Sequence, residues 1–260
     1  MRLIDGAVAI REDLPDAWTV SVTVPPGAGS SLDTGVQRLS AIQYVRDELR
    51  ATLHDAATPA ITIGGDCGVE IGAIEHALAS TRDPDADTVV VWFDAHGDLN
   101  TPESSPSGAF AGMVLRTLLG DGPAELVPAT PLRADRVILA GVRTLDDDES
   151  DFVTSSGITL IPAAELSGTT VCDAIRDSGA TSVYIHIDLD VIDPAEFASG
   201  GDPEPFGVGI QQLIDTIVAV RTAHPLVGAG VTEFAPANGD AASDDLPSIL
   251  RIIGALTRKL

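Results

Sequence analysis

The stretch TVVVWFDAHGD, Thr88 to Asp98, sets the reading of the whole chain. Its first half is a short run rich in valine and aromatic residues, as in a strand buried on both faces. Its second half places two aspartates and a histidine within five residues, Asp94 to Asp98. In open α/β sheets, ligands collect where strands give way to loops, so this junction is a natural place for chemistry.

Working outward, the same kind of run recurs: AITI from Ala60, RVILAG from Arg136, SVYIHIDLD from Ser182 and LVGAGVTEF from Leu226. Between them the apolar spacing turns helical. VQRLSAIQYVRDELRATL, Val36 to Leu53, carries Leu39, Ile42, Val45 and Leu49 at steps of three and four, and IQQLIDTIVAV and LPSILRIIGAL behave alike. Strand–helix alternation predicts a mainly parallel sheet covered on both faces. Proline-rich loops, NTPESSPSG and SGGDPEPFG, interrupt the pattern, but no linker or repeat divides it. At 260 residues and 44% hydrophobic, the chain can bury a large core, and one domain over residues 1–260 is the expectation.

Charge narrows the partners. Thirty-nine acidic against fifteen basic residues give a net charge of -24, which repels nucleic acid and anionic membrane surfaces and leaves carboxylates for cations. The acidity is spread along the chain, as on a solvated surface. The two cysteines, Cys67 and Cys172, are too few for a disulfide framework and fit a reducing compartment, so a cytoplasmic location is expected. The N-terminal run has charges within it and no long apolar core, and nothing approaches a membrane span.

Three strand ends carry acidic clusters: FDAHGD with Asp94, His96 and Asp98; HIDLDVIDP with His186, Asp188, Asp190 and Asp193; and TEF with Glu233. In extended chain, residues two apart project to one side, which lets Asp94, His96 and Asp98 converge, and likewise Asp188 and Asp190. Four carboxylates at adjacent strand ends repel one another strongly unless a cation neutralises them. A metal centre follows, with two ions sharing carboxylates, and mixed carboxylate and imidazole donors suit ions such as Mn²⁺. Asp193, before Pro194, reads as a turn residue, and His54, His76 and His224 as surface residues. His186 fits either a supporting place behind the ligands or plain packing.

GGDCGVE, WFDAHGDLNTPESSPSGAFAGM, IHIDLDVIDP and VTEFAP occur in the order and approximate spacing of the ureohydrolases, the arginase and agmatinase family, and the chain resembles them over roughly Pro59 to the C-terminus. Before Ser30 the resemblance is weak. It implies a three-layer α/β/α sandwich and a binuclear manganese centre whose hydroxide attacks a guanidinium carbon and releases urea. It also implies a small guanidino substrate and a homo-oligomer, a trimer or hexamer. By position, Asp94 and Asp188 resemble the bridging ligands, and Asp98 a ligand of the first metal that also holds the hydroxide. His96 and Asp190 resemble ligands of the second metal, and Glu233 the carboxylate that pairs with the substrate guanidinium. DLNTPESSPSG is closer to arginases than to agmatinases. Asn100 and Ser107 match residues that bind the α-carboxylate there, and Asp146 and Glu149 match carboxylates that hold the α-amino group. L-arginine, hydrolysed to ornithine and urea, is therefore the expected substrate. Taken alone, Asn100 and Ser107 read as turn chemistry in a Pro/Ser-rich loop.

Two positions depart from the family pattern. Cys67 stands where the motif has a histidine ligand of the first metal, and a soft thiolate matches zinc better than Mn²⁺. A weakened first site is the expectation. Ala111 stands where arginases have a histidine that shuttles protons, and loss of a positioned acid or base typically costs about 10²–10⁴ in rate. Slow turnover is one reading of these departures. A non-catalytic relative that binds a guanidino ligand or supports an oligomer is the other.

Overall fold

A computed structural model describes residues 2–56, 59–80 and 87–258. Six strands, β1 (Ala60–Ile63), β2 (Thr88–Phe93), β3 (Val137–Ala140), β4 (Thr159–Ile161), β5 (Ser182–Asp188) and β6 (Leu226–Thr232), form one sheet in the order β1-β6-β5-β2-β3-β4. Every pairing among them is parallel. The helices are α1 (Arg2–Asp13), α2 (Leu39–His54), α3 (Glu70–Ala79), α4 (Val114–Leu118), α5 (Asp147–Ser156), α6 (Gly168–Ser178), α7 (Ile210–Ala223) and α8 (Gly239–Thr257).

Side-chain alternation in the central strands builds the layers. Val89, Val91 and Phe93 of β2, with Val183, Ile185 and Ile187 of β5, enter one core with residues of α6, α7 and α8. Val90, Trp92 and Tyr184 enter the other, against α2, α3 and α4. The result is the expected α/β/α sandwich: strands buried on both faces need helices above and below, and parallel connections supply them.

Some sequence expectations shift. α2 begins at Leu39 rather than Val36, because Gln37 is tied to the loop at residues 107–108: its backbone N–H donates to Gly108 O at 2.8 Å and its amide to Ser107 O at 2.7 Å. α8 starts seven residues before LPSILRIIGAL, with Asn238 Oδ1 accepting from Ala241 N at 3.0 Å and Pro247 inside the helix. β4 has only three residues, too short for periodicity to register. No helix among the described residues is long and apolar enough to cross a membrane.

Topology places the chemistry. The chain runs outward from β2 through β3 to β4, then returns to lay β5 on the other side of β2. The strand order reverses between β2 and β5, and the crevice at their carboxyl ends is where such sheets bind ligands. Phe93, wholly buried at the end of β2, holds that corner. Phe93→Ala should cost about 3–5 kcal/mol, read as a lower denaturant midpoint at unchanged slope.

Candidate metal centre

Because all strands are parallel, their carboxyl ends share one edge. Cys67 follows β1, Glu233 follows β6, Asp188 ends β5 with Asp190 just beyond, Asp94 to Asp98 follow β2, and Asp146 lies between β3 and α5. Two sets of donor atoms gather there, each within 4.8 Å: Asp94, His96 and Asp190; and Cys67, Asp94, His186 and Asp188. Asp94 belongs to both.

The first of these sets is organised around His96. Its Nδ1 lies 2.9 Å from Asp190 Oδ2 and 3.5 Å from Asp94 Oδ1. Backbone and indole N–H groups aim the carboxylates: His96 N donates to Asp94 Oδ1 at 2.6 Å, Ala95 N to Asp190 Oδ1 at 3.0 Å, and Trp92 Nε1 to Asp94 Oδ2 at 3.0 Å. Burial opposes the charge on His96, but its hydrogen bonds to the Asp190 and Asp94 carboxylates outweigh that and raise its pKa to about 11. Burial pushes Asp190 up to about 6, with Asp94 adding repulsion and His96 opposing. Burial likewise opposes ionisation of Asp94, yet His186 and His96 together hold it below the usual carboxylate range.

In the other set, Cys67 Sγ lies 3.0 Å from Asp188 Oδ2, 3.6 Å from His186 Nε2 and 3.3 Å from Thr232 Oγ1. His186 Nε2 is 3.9 Å from Asp94 Oδ2. Four donors about 2.0–2.3 Å from one tetrahedral ion stand about 3.3–3.8 Å apart, so these spacings need little adjustment to hold one. Burial pushes the Cys67 thiol well up, and Asp188, Asp98, Asp94 and Glu233 push it further. Asp188 is raised well above normal by burial, then by Asp190, Asp94 and Glu233. A divalent cation answers all of these shifts at once.

The local backbone differs from the extended chain expected of these motifs. β2 ends at Phe93 and bends through Ala95 and His96, while Leu189–Val191 form a short 3₁₀ turn in which Asp188 Oδ1 accepts from Asp190 N at 2.8 Å. Turns, not strand alternation, converge these side chains. Asp98 falls outside both donor sets; it sits at φ 51°, buried, and its Oδ2 has no hydrogen-bond partner. Burial and then Asp94 raise its pKa well above normal.

Around the rim, Asn100 Nδ2 donates to Asp146 Oδ2 at 2.9 Å and Asn100 Oδ1 accepts from Ser104 Oγ at 2.7 Å. Glu149 is committed to the backbone: Oε1 accepts from Leu99 N at 2.8 Å and Oε2 from Asp146 N at 2.9 Å. It caps α5 and ties down the loop holding Asn100, so each of its oxygens already accepts one backbone N–H. Ser107 is exposed, and its Oγ accepts from Ala109 N at 3.1 Å, as in a turn. Glu233, at φ 65°, fills space over Gly201, where a Cβ would lie 1.9 Å from its Oε2. Burial raises Glu233 to about 8, with Asp66, Asp190, Asp94 and Asp202 adding repulsion. Ala111 is half-buried and packs with the helix-side core. His54 is exposed, His76 and His224 half-buried, and none belongs to a donor set.

Two residues here escaped the sequence reading. Glu70 and Tyr184 are fully buried, with Tyr184 Oη donating to Glu70 Oε2 at 2.6 Å behind His186. The signals were present: an acid opening an apolar helix, and Tyr184, His186 and Asp188 alternating along a buried strand.

A model of the arginase family matches residues 12–247, well N-terminal of the Pro59 limit expected from the motifs. The chain belongs to the arginase family. The arginase of Entamoeba histolytica is 30% identical over 218 residues, covering 78% of this chain and 72% of that protein. The N(omega)-hydroxy-L-arginine amidinohydrolase of Streptomyces lavendulae is 31% identical over 224 residues, covering 82% and 77%. The crystal structure of Entamoeba histolytica arginase in complex with L-ornithine superposes with a TM-score of 0.82 at 26% identity, covering 92% of this chain and 84% of that one. By class, this arginase-family chain is a metal-dependent amidinohydrolase.

The pKa shifts predict the pH response of the fold. Asp190, at about 6, and Glu233, at about 8, lie above the unfolded carboxylate value of about 4, so the folded chain binds more protons between those limits. The stability from that uptake is full below about pH 4 and is lost as pH rises through 6 and 8. His96, raised to about 11, acts in the same direction above about pH 6.5. Chelator-treated protein should thus melt at progressively lower temperature from pH 5 to 8, by calorimetry, and saturating divalent ion should flatten that slope.

Proposed function

We propose that this chain, as one ureohydrolase domain, hydrolyses the guanidino group of L-arginine to give ornithine and urea, with slow turnover. The observation that carries the reading is the convergence of Asp94, His96, Asp188 and Asp190 on one crevice, with the Asn100–Asp146 pair at its rim and Glu233 beside it. Divalent ions held by these donors supply Lewis acidity and a water activated near neutral pH. Mn²⁺ suits the Asp94, His96 and Asp190 set, with its oxygen and imidazole donors.

The chain's own residues do the positioning. Glu233 pairs with the guanidinium: burial and the acids around it, Asp66, Asp190, Asp94 and Asp202, resist its ionisation, and a planar cation relieves that resistance through charge-assisted hydrogen bonds. Asp98, with one oxygen free and buried, accepts a proton from the attacking water. At the other end of the substrate, Asp146 receives the α-amino group and the Asn100 loop receives the α-carboxylate, with Glu149 holding both in register. Ala111 carries no proton, so departure of the amine relies on solvent. Assembly as a homo-oligomer belongs to the same reading.

A second reading, a relative that binds guanidino ligands without turnover, draws on Cys67 and Ala111. The two separate by experiment. Calorimetry should show L-arginine binding well above agmatine, which lacks the carboxylate, and urea should accumulate slowly from L-arginine. Ala111→His should raise turnover by about 10²–10⁴ if proton transfer limits the rate. Tight arginine binding with no urea from either protein would favour the binding reading.

A further inference from the structure

Behind Cys67 stand three buried groups that the hydrolytic reading does not use: Glu70, Tyr184 and His186, all on the α2–α3 side of the sheet. His186 Nδ1 faces Glu70 Oε1 at 3.4 Å, close enough for an ion pair, and neither atom has a hydrogen-bond partner among the described residues. The other oxygen of Glu70 is held by Tyr184 Oη at 2.6 Å. A buried carboxylate costs several kcal/mol unless paired, so Glu70 requires this histidine and fixes where its Nδ1 proton points. The ring itself is clamped, stacked on Trp92 with centroids 3.6 Å apart and planes at 25°. With Nδ1 turned to Glu70, the Nε2 lone pair faces Cys67, Asp94 and Asp188.

The sheet is also cut away to admit this arrangement. A Cβ on Gly230 of β6 would lie 1.5 Å from Glu70 Oε1, and one on Gly228 would lie 2.9 Å from the Tyr184 ring. A histidine that merely filled core volume needs neither a carboxylate behind it nor a stripped neighbouring strand.

We infer that His186 supplies, through Nε2, the imidazole donor of the first metal position, with Glu70 as its positioning carboxylate and Cys67 as a sulfur donor beside it. The imidazole that the family motif places at the position of Cys67 thus enters from strand β5 instead of the loop after β1. One nitrogen, one sulfur and two carboxylates make a site that prefers a thiophilic ion such as Zn²⁺ or Co²⁺ to Mn²⁺. The two positions of this chain then differ in metal preference. This inference rests on the reading of the crevice as a two-ion centre.

Cobalt content per chain and thiolate-to-cobalt charge-transfer absorption, measured after dialysis against Co²⁺, test it without recourse to activity. Wild-type protein should hold two ions and show the band. His186→Ala should lose one ion together with the band, whereas His96→Ala should lose one ion and keep it. Excess Mn²⁺ should displace cobalt from the His96 position and leave the band. Glu70→Gln, which keeps the side chain's size, should weaken the band-linked ion by about 10–100-fold. Circular dichroism in chelator identifies folded variants; if His186→Ala does not fold, Glu70→Gln decides, and unchanged cobalt affinity overturns the assignment. A folded His186→Ala that retains both ions and the band also overturns it, while loss of the band to Mn²⁺ overturns the metal preference. Wild-type protein that holds no cobalt removes the two-ion centre itself, and with it the hydrolytic reading.

Discussion

Mutual repulsion among carboxylates gathered at the ends of β2, β5 and β6 is the constraint on which this structure turns. Asp94, Asp98, Asp188, Asp190 and Glu233 share a crevice with little water, where like charges interact several-fold more strongly than in solvent. The fold tolerates Asp94 and Asp190 by surrounding them with donors. Trp92 Nε1 and two backbone amides serve Asp94 and Asp190, His96 bridges the same pair, and Arg143 braces the crevice from behind. The Arg143 guanidinium donates to Asp190 O at 2.6 Å and Glu204 O at 2.8 Å, tying the end of β5 to the SGGDPEPFG loop. These contacts aim the carboxylates but leave their charge largely uncompensated, the state in which a cation binds well.

One of the two departures from the family pattern, Cys67, lies beside a buried histidine. Cys67 shortens the side chain on the loop after β1, and His186 on β5 reaches to within 3.6 Å of its sulfur. Glu70 and Tyr184 complete the set from α3 and β5, and the bare backbone at Gly228 and Gly230 accommodates them. Buried side chains of this size fit only where neighbours are small. Ala111, by contrast, is half-buried and packs against the apolar core.

Rigidity at the rim of the crevice comes from helix capping. Glu149 joins the start of α5 to the loop after β2, and Asn100 and Asp146 are locked together across that joint. A ligand entering the crevice would meet a surface fixed before it arrives, which lowers the ordering cost of binding.

Sequence alone settled the elements dictated by local chemistry. Valine-rich runs with helical spacing between them specify a parallel sheet between helix layers, and DAHGD and HIDLDVID mark the acidic ends of β2 and β5, since period and composition are local properties of the chain. The site was legible as a list of residue types, but its geometry was not. Bends after Phe93 and Asp188, set by side chain–backbone hydrogen bonds, aim Asp94 and Asp190, while Asp98 is in neither donor set. Glu149 became a cap rather than a free carboxylate because two amides, one of them fifty residues distant in sequence, compete for its oxygens. The place of His186 was open in the sequence for the same reason: whether a buried imidazole is packing or ligand depends on what faces its two nitrogens. Here those groups, Glu70 from α3 and Cys67 from the loop after β1, are brought opposite β5 only by the order of strands in the folded sheet.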